Sequence, residues 1–241
     1  MLYVGCDVYV VNSYTSLYEE SRLRQNISKL VNYLSKQRLD YEIIISNDGS
    51  NDDTDLLLNE ISDKNPLIRL VNNDKNMGRG YALKKTCNLI KGNKVIFMDL
   101  DMPSSTNLNI IEDLNKELDD YDVVLGSRFL SNSKTKRRLH RGLISKVYRL
   151  LRTLLFPKLK ITDTDVGMKS FRGDVFCEVN KYIKSNRWSW DLEFLLESHR
   201  RGHSIKEIPI DWKEDKDSTL NIFLASMEQF ISLLVFRIRY S

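Results

Sequence analysis

Lys94-Val95-Ile96-Phe97-Met98-Asp99-Leu100-Asp101-Met102-Pro103 is the stretch that decides how the chain reads. An apolar run of strand length ends in two carboxylates one residue apart, and the proline beyond them has no N–H with which to continue a strand. Asp99 and Asp101 therefore stand at the carboxyl end of a buried strand. In an open α/β sheet that end is where ligands bind, and a carboxylate there is costly to desolvate unless a cation or a hydrogen-bonded ligand satisfies it. Paired oxygen donors of this kind suit Mg²⁺ or Mn²⁺, which take one or two carboxylates together with the phosphates of a nucleotide. The same spacing recurs at Asp53/Asp55, Asp120/Asp122, Asp163/Asp165 and Asp215/Asp217. Only at Asp99/Asp101 does it close an apolar strand and precede a proline, which separates a candidate site from a solvated acidic loop.

Working outward, strands and helices alternate. Asp7 to Asn12 reads as a strand, and Glu19 to Gln37 as a helix with Leu23, Ile27, Leu30, Val31 and Leu34 on one face. Tyr41 to Ser46 is a second apolar strand that runs into the turn Asn47-Asp48-Gly49-Ser50, and a helix with Leu56, Leu57 and Ile61 follows. Leu67 to Val71 gives a third strand, Tyr81 to Ile90 a helix, and Lys94 to Met98 the fourth strand. Such alternation implies βαβ units and a mostly parallel sheet flanked by helices. Ile110 to Leu118 (helix), Tyr121 to Leu125 (strand), Val166 to Phe171, a helix from Ser189 to Arg201 and Ser204 to Trp212 complete the domain. The expected division is one α/β domain over 1–218 and a C-terminal amphipathic helix over 219–241. That tail is too short and too polar to span a bilayer, so it is expected either at an interface or docked on the core.

The 241 residues are 29% charged and 41% hydrophobic, which fits one globular core and excludes the disordered class. Cys6, Cys87 and Cys177 have neither disulfide nor metal-ligand spacing and read as reduced residues of a cytosolic protein. A strand beginning within ten residues of Met1 leaves no signal peptide to expect, and no apolar run reaches the roughly 20 residues a spanning helix needs. The net charge of +4 is unevenly spread. Ser131 to Thr162 has no acidic residue but carries Lys134, Lys136, Arg137, Arg138, Arg141, Lys146, Arg149, Arg152, Lys158 and Lys160. Within it Leu143, Ile144, Val147, Leu150, Leu151, Leu154 and Leu155 recur at helical spacing. This basic amphipathic helix either packs on the core with its charges outward or lies on an anionic membrane surface. A nucleic-acid grip would interleave stacking aromatics among the cations, and only Tyr148 and Phe156 occur there, so no nucleic-acid partner is expected.

Polar clusters follow strands or open helices at Asn47-Asp48-Gly49-Ser50, Asn76-Met77-Gly78-Arg79-Gly80, Asp99-Leu100-Asp101 and Gly126-Ser127-Arg128. With Asp163-Thr164-x-x-Gly167-x-Lys169 and Arg187-Trp188-Ser189-Trp190-Asp191-Leu192-Glu193, their order resembles the inverting nucleotide-sugar glycosyltransferases of family 2. Within that family it is similar to the dolichyl-phosphate glucosyl and mannosyl group. The last two segments look most like the glucosyl branch. The resemblance implies a single domain of GT-A type, a nucleotide diphosphate sugar donor with UDP-glucose favoured, and a polyprenyl phosphate acceptor at the cytoplasmic membrane face. It implies Mg²⁺ or Mn²⁺ as cofactor and peripheral attachment to the membrane. A sugar-hydroxyl acceptor is the alternative within the class, and a non-catalytic nucleotide- or nucleic-acid-binding module the alternative outside it.

Carried over residue by residue, the resemblance puts Asn47 and Asp48 at the base and Arg79 at the diphosphate. It puts Asp99 at the ribose and metal, Asp101 on the metal as direct ligand, Arg128 at the acceptor phosphate and Asp191 in the place of a catalytic base. Two positions depart from the family pattern. A Pro-Ala-Tyr-Asn-Glu segment is common after the first strand, whereas Asn12-Ser13-Tyr14-Thr15-Ser16 keeps only Tyr14 for the nucleotide, and Pro103 stands where the mannosyl branch has a metal-holding glutamine.

Overall fold

The computed structural model describes residues 7–13, 20–37, 40–49, 54–99, 107–136, 139–213 and 222–240. In chain order the elements are β1 (Asp7–Ser13), α1 (Glu20–Leu34), β2 (Tyr41–Asn47), α2 (Thr54–Lys64), β3 (Ile68–Asn72), α3 (Arg79–Thr86), β4 (Lys94–Asp99) and α4 (Ile110–Glu117). There follow β5 (Val123–Ser127), β6 (Thr135–Lys136), α5 (Leu139–Leu155), β7 (Met168–Arg172), α6 (Gly173–Asn180), α7 (Trp190–Arg200), β8 (Ile205–Pro209), β9 (Trp212–Lys213) and α8 (Ile222–Arg239).

Seven strands form one sheet in the order β3-β2-β1-β4-β7-β5-β8, and β6 and β9 pair separately. The pairs β1–β2, β1–β4, β2–β3 and β5–β8 are parallel, as the alternation predicts. β7 alone runs against its neighbours β4 and β5. Apolar residues alternate across the sheet because successive side chains of a strand face opposite ways. Ile43, Ile45, Ile96, Met98 and Val124 pack against Leu23, Ile27, Leu30, Leu34 and Leu114 of α1 and α4. Ile44, Val95, Phe97, Val123 and Leu125 pack instead with Leu83, Phe176, Trp190, Phe194, Leu233 and Phe236. A strand covered on both faces reads as a continuous apolar run, which is why β4 was legible.

Strand order reverses around β1. The chain moves outward from β1 through β2 to β3 and returns to the other side of β1 as β4. The carboxyl ends of β2, β1 and β4 meet at this switch point, with Ser13 beside Asn47 and Asn12 beside Asp99. Because β7 is antiparallel, its first residue Met168 lies beside Met98, and Asp99 N–H donates to the Gly167 carbonyl at 3.0 Å.

Several boundaries differ from the sequence expectation. Gly126 and Ser127 belong to β5, paired with Ile208 and Pro209, so only Arg128 of that cluster follows the strand. The run Ser204 to Trp212 divides into β8 and β9, and Ile210 N–H turns back to the Ser127 carbonyl at 3.2 Å. α3 starts at Arg79 rather than Tyr81. α8 itself packs on the core, one of the two places the sequence allowed it: Leu233 and Phe236 are buried in the same core as Phe97, and Phe230 meets Tyr148 of α5 edge to face at 5.7 Å.

Candidate active site

Site residues arrive on four elements at the switch point. Asp99 ends β4, Arg79 begins α3, Lys169 lies near the start of β7, and Asp191 is in the first turn of α7. Arg79 Nη2 is 3.4 Å from Asp99 Oδ1, and Arg79 Nη1 is 3.6 Å from Asp191 Oδ2. Lys169 Nζ is 2.7 Å from Asp191 Oδ1 and also donates to the Val166 carbonyl. Two cations and two carboxylates thus alternate in a chain. Arg79, Lys169 and Asp191 are almost fully buried, whereas Asp99 remains 24% exposed at the open end. Buried charges of this kind persist only where paired, and Arg79 gains further attraction from the Phe97 ring, 4.7 Å from its guanidinium carbon.

Local sequence explains how these groups are held. Phe171, Phe176, Trp190 and Phe194 pack ring against ring, with neighbouring centroids 4.9–6.5 Å apart, and Trp190 Nε1–H donates to Asn180 Oδ1 at 2.8 Å. This aromatic block fixes the start of α7 and so the position of Asp191. Gly78 precedes α3 with φ +99°, and a Cβ there would lie 2.3 Å from the Asn186 carbonyl oxygen, so only glycine lets the α3 entry and the 186 loop close together. A Cβ at Gly167 would come within 2.2 Å of Asp99 Oδ2, so the missing side chain makes the space in which the carboxylate rests.

Asp48 is buried. Its Oδ1 accepts from Asn73 Nδ2 and Met77 N–H, both at 2.9 Å, and its Oδ2 from Gly78 N–H at 2.7 Å. These bonds tie the end of β2 to the loop that presents Arg79. Asn47, also buried, donates to Asp55. Arg128 makes a two-pronged pair with Asp163: Nε–Oδ2 and Nη2–Oδ1 are both 2.7 Å, and Arg128 N–H adds a bond to Oδ2 at 3.0 Å. Burial alone would raise the Asp163 carboxyl, but the Arg128 charge and its hydrogen bonds outweigh burial and hold it below the usual range. Asp165 behaves oppositely. Desolvation first, then the charges of Asp191 and Asp163, push its carboxyl up, and it accepts from Gln229 Nε2 at 2.7 Å.

Of the residues expected at a site, the structure brings Arg79, Asp99 and Asp191 together, with Asn47 at the end of β2 and Asp48 in the turn that follows, bonded to the segment leading to Arg79. Arg128 faces Asp163 on a separate network. Tyr14 and Asp101 lie outside the described residues. Sequence reading gave no role to Lys169, although a lone cation inside the apolar strand Val166 to Phe171 was a signal that it has a buried partner. Asp99 offers the oxygen chemistry that Mg²⁺ or Mn²⁺ takes, at an exposed strand end and in a cradle left open by Gly167.

Beside this site α5 and α8 turn apolar residues to solvent: Val147, Leu150, Leu151 and Leu154 on α5, and Ile231, Leu234, Val235 and Ile238 on α8. No helix among the described residues is long and apolar enough to cross a membrane.

A doubly covered α/β sheet of this order, with charged groups gathered at the acidic end of its fourth strand, defines a nucleotide-sugar transferase fold of GT-A type. The same architecture occurs in glucosyl-3-phosphoglycerate synthase from Mycobacterium tuberculosis, whose complex with Mn²⁺, UDP-glucose and phosphoglyceric acid superposes with a TM-score of 0.76 at 16% identity, covering 98% of this chain and 81% of that one. The family described as Glycosyl transferase family 2 matches residues 11–179. The chain belongs to that family and is a glycosyltransferase. A dolichyl-phosphate beta-glucosyltransferase of Trichomonas vaginalis is 30% identical over 230 residues, covering 89% of this chain and 69% of that protein. Glycosyltransferase AglD of Haloferax volcanii is 27% identical over 205 residues, covering 84% of this chain and 32% of that protein, so the chain spans about a third of AglD.

Proposed function

We propose that the protein transfers a hexose, with glucose favoured, from a nucleotide diphosphate sugar to a polyprenyl phosphate at the cytoplasmic face of a membrane. The observation that carries this reading is the pair of helices α5 and α8, which pack together, expose apolar residues, and reach the charged cluster through Gln229–Asp165 and through Glu228, 3.3 Å from Ser189 Oγ. A lipid acceptor needs an apolar surface beside the reacting centre, and these helices supply one. The relatedness to dolichyl-phosphate glucosyltransferases supports the acceptor class, and the Mn²⁺ and UDP-glucose of the fold neighbour support the donor.

In this reading Asp99 and Asp101 hold Mg²⁺ or Mn²⁺, which would stabilise charge on the departing nucleoside diphosphate. Arg79 stands at the diphosphate, oriented by Asp99 and Asp191 and kept from swinging by Phe97. Asn47 and Asp48 shape the base end of the cleft, and Tyr14 lies against the nucleotide. A phosphate monoester, with its second pKa near about 6, already carries a nucleophilic oxygen at neutral pH and needs positioning more than a base. Asp191 then serves by holding Lys169 and Arg79. Residues 1–218 would form the catalytic body and 219–241 a helix that adds membrane affinity.

Incubating the protein and polyprenyl phosphate with a panel of labelled nucleotide sugars tests the reading. Label from UDP-glucose should enter an acid-labile lipid in the presence of Mg²⁺ or Mn²⁺. Label that appears only in a sugar or polysaccharide acceptor would transfer the protein to the hydroxyl-acceptor class.

A further inference from the structure

We propose that Cys87 and Cys177 are a reversible dithiol site, closed to an intramolecular disulfide by a low-molecular-weight disulfide of the glutathione class, and that the bond slows transfer by shifting the support of Trp190. The two residues are 90 apart in sequence, and no spacing connects them. The fold brings them together: Cys87 is the C-cap of α3, and Cys177 lies in α6. Cys177 Sγ donates to the Cys87 carbonyl at 3.7 Å, and the two thiols are also within hydrogen-bond reach of each other. Both are free and only partly buried, so a small reagent reaches them.

Their surroundings give the two thiols different parts. The hydrogen bond from Cys87 and the charge of Lys181 hold the Cys177 thiol down against burial, which favours the thiolate, the attacking form. That same hydrogen bond, burial and the charge on Cys177 push Cys87 up. Cys177 therefore attacks one sulfur of oxidised glutathione, forming a mixed disulfide and releasing the first glutathione. With Cys177 no longer charged, Cys87 loses a repelling neighbour and keeps the Asn180 amide, which donates to its sulfur at 3.7 Å. Its thiolate then attacks the Cys177 sulfur, closes the bond and expels the second glutathione. The two electrons taken from the protein thiols reduce the glutathione disulfide, and their two protons end on the two glutathione molecules.

Asn180 joins this pair to the active site. Besides its bond to Cys87, its Nδ2 donates to the Phe176 carbonyl at 2.9 Å, and its Oδ1 accepts from Trp190 Nε1–H at 2.8 Å. Trp190 precedes Asp191 in the first turn of α7, and Arg79 stands at the other end of α3 from Cys87. A disulfide holds its sulfurs about 2.05 Å apart, much closer than hydrogen-bonded thiols, so closing it draws the end of α3 and α6 together. A shift of roughly 1 Å in positioning groups lowers a rate by up to about 10²-fold.

Incubating the reduced full chain with oxidised glutathione, followed by intact mass and peptide mapping, tests the site. The expected product has lost two hydrogens and carries a linked Cys87–Cys177 peptide pair, and dithiothreitol restores the dithiol. Cys87→Ser should stop at a mixed disulfide on Cys177. Transfer from UDP-glucose to polyprenyl phosphate should fall on oxidation by up to about 10²-fold and return on reduction, whereas Cys177→Ser should keep its rate in oxidised glutathione. The mapping uses the wild type, so it stands even where a serine variant fails to fold. The rate measurement rests on the proposed function, but the bond does not: a linked pair in a protein that transfers nothing to polyprenyl phosphate would sustain the site and overturn only that function. A linked pair with transfer undiminished would sustain the site and remove its hold on Trp190. Glutathione adducts alone, a bond through Cys6, or an unchanged mass would overturn the inference.

Discussion

Lys169 Nζ and Asp191 Oδ1 are 2.7 Å apart, and both side chains are at most 2% exposed, although one sits in the strand that runs against the sheet and the other in a helix 22 residues further on. A buried pair contributes little relative to apolar residues of equal volume, but removing one member leaves a charge with no solvent to relax it.

Asp191→Asn and Lys169→Met are therefore each expected to lose about 3–5 kcal/mol of stability, and the double variant less than the sum. Urea unfolding of the four proteins as a double-mutant cycle checks this. The activity of Asp191→Asn separates two roles. With a phosphate acceptor, the acidic limb of the pH–rate profile should survive in the variant because it belongs to the substrate. Disappearance of that limb would make Asp191 the titrating base of a hydroxyl transfer, where a positioned base contributes about 10²–10⁴-fold.

Gly167→Ala places a methyl group on the space that Asp99 occupies, since the added carbon would start 2.2 Å from Oδ2. The carboxylate must turn away, carrying with it the contact to Arg79. A displacement of this size near the reacting centre should lower the transfer rate about 10²-fold. Thermal unfolding should change little by comparison, because Asp99 lies at the exposed strand end. Wild-type turnover in this variant would show that Asp99 has no fixed place in the reaction.

Much of this arrangement was legible because it is local. The apolar run into Asp99 and the proline beyond it mark a strand end without reference to the rest of the chain, and the helical spacing from Leu143 to Leu155 marks α5. Strand direction was not legible. Nothing within Val166 to Phe171 states that β7 opposes β4, because pairing is chosen by partners distant in sequence. The short helix α6 escaped notice because eight residues give barely two helical turns of periodicity. The roles of Lys169 and Gln229 depend on contacts across 22 and 64 residues, which no local pattern encodes. Arg128, placed at the acceptor phosphate by resemblance, also pairs with Asp163, a contact across 35 residues that no local pattern announces.

That pair makes a pH-dependent prediction. Asp163 is held below the usual carboxylate range when folded, so it contributes stability that is present above the unfolded value of about 3.9 and is lost as pH falls through the folded value. In Arg128→Met the buried carboxylate keeps its desolvation and loses its partner, which should cost about 3–5 kcal/mol at pH 7. As pH falls, the variant protonates first and the wild type later, so the gap between them should narrow below about pH 4. Urea midpoints measured from pH 7 to pH 3 give the comparison. A gap constant across that range would mean that the ion pair is not what the substitution removes.

The last prediction separates the two faces of α8. Its inner face is fastened by Gln229 to Asp165, by Glu228 to Ser189 and by Arg239 to Glu193, while Leu233 and Phe236 are buried. Each of those apolar side chains contributes about 1.5–3 kcal/mol by burial, so Phe236→Ala should lower stability by several kcal/mol and loosen the loop that holds Asp165 and the start of α7 that holds Asp191. The outer face is built of Ile231, Leu234 and Ile238, which are 59–82% exposed and, by burial, contribute little to the folded state. Replacing Ile231 and Leu234 by Asn should leave the unfolding midpoint nearly unchanged. If that face lies against a bilayer, the same change should abolish co-sedimentation with vesicles, and binding by the wild type should weaken when anionic lipid is omitted, since each nearby Lys or Arg adds about 1 kcal/mol at a charged surface. Retained vesicle binding in the Asn variant, or equal binding to neutral vesicles, would remove the membrane from the account and leave α8 as a clamp on the active site alone.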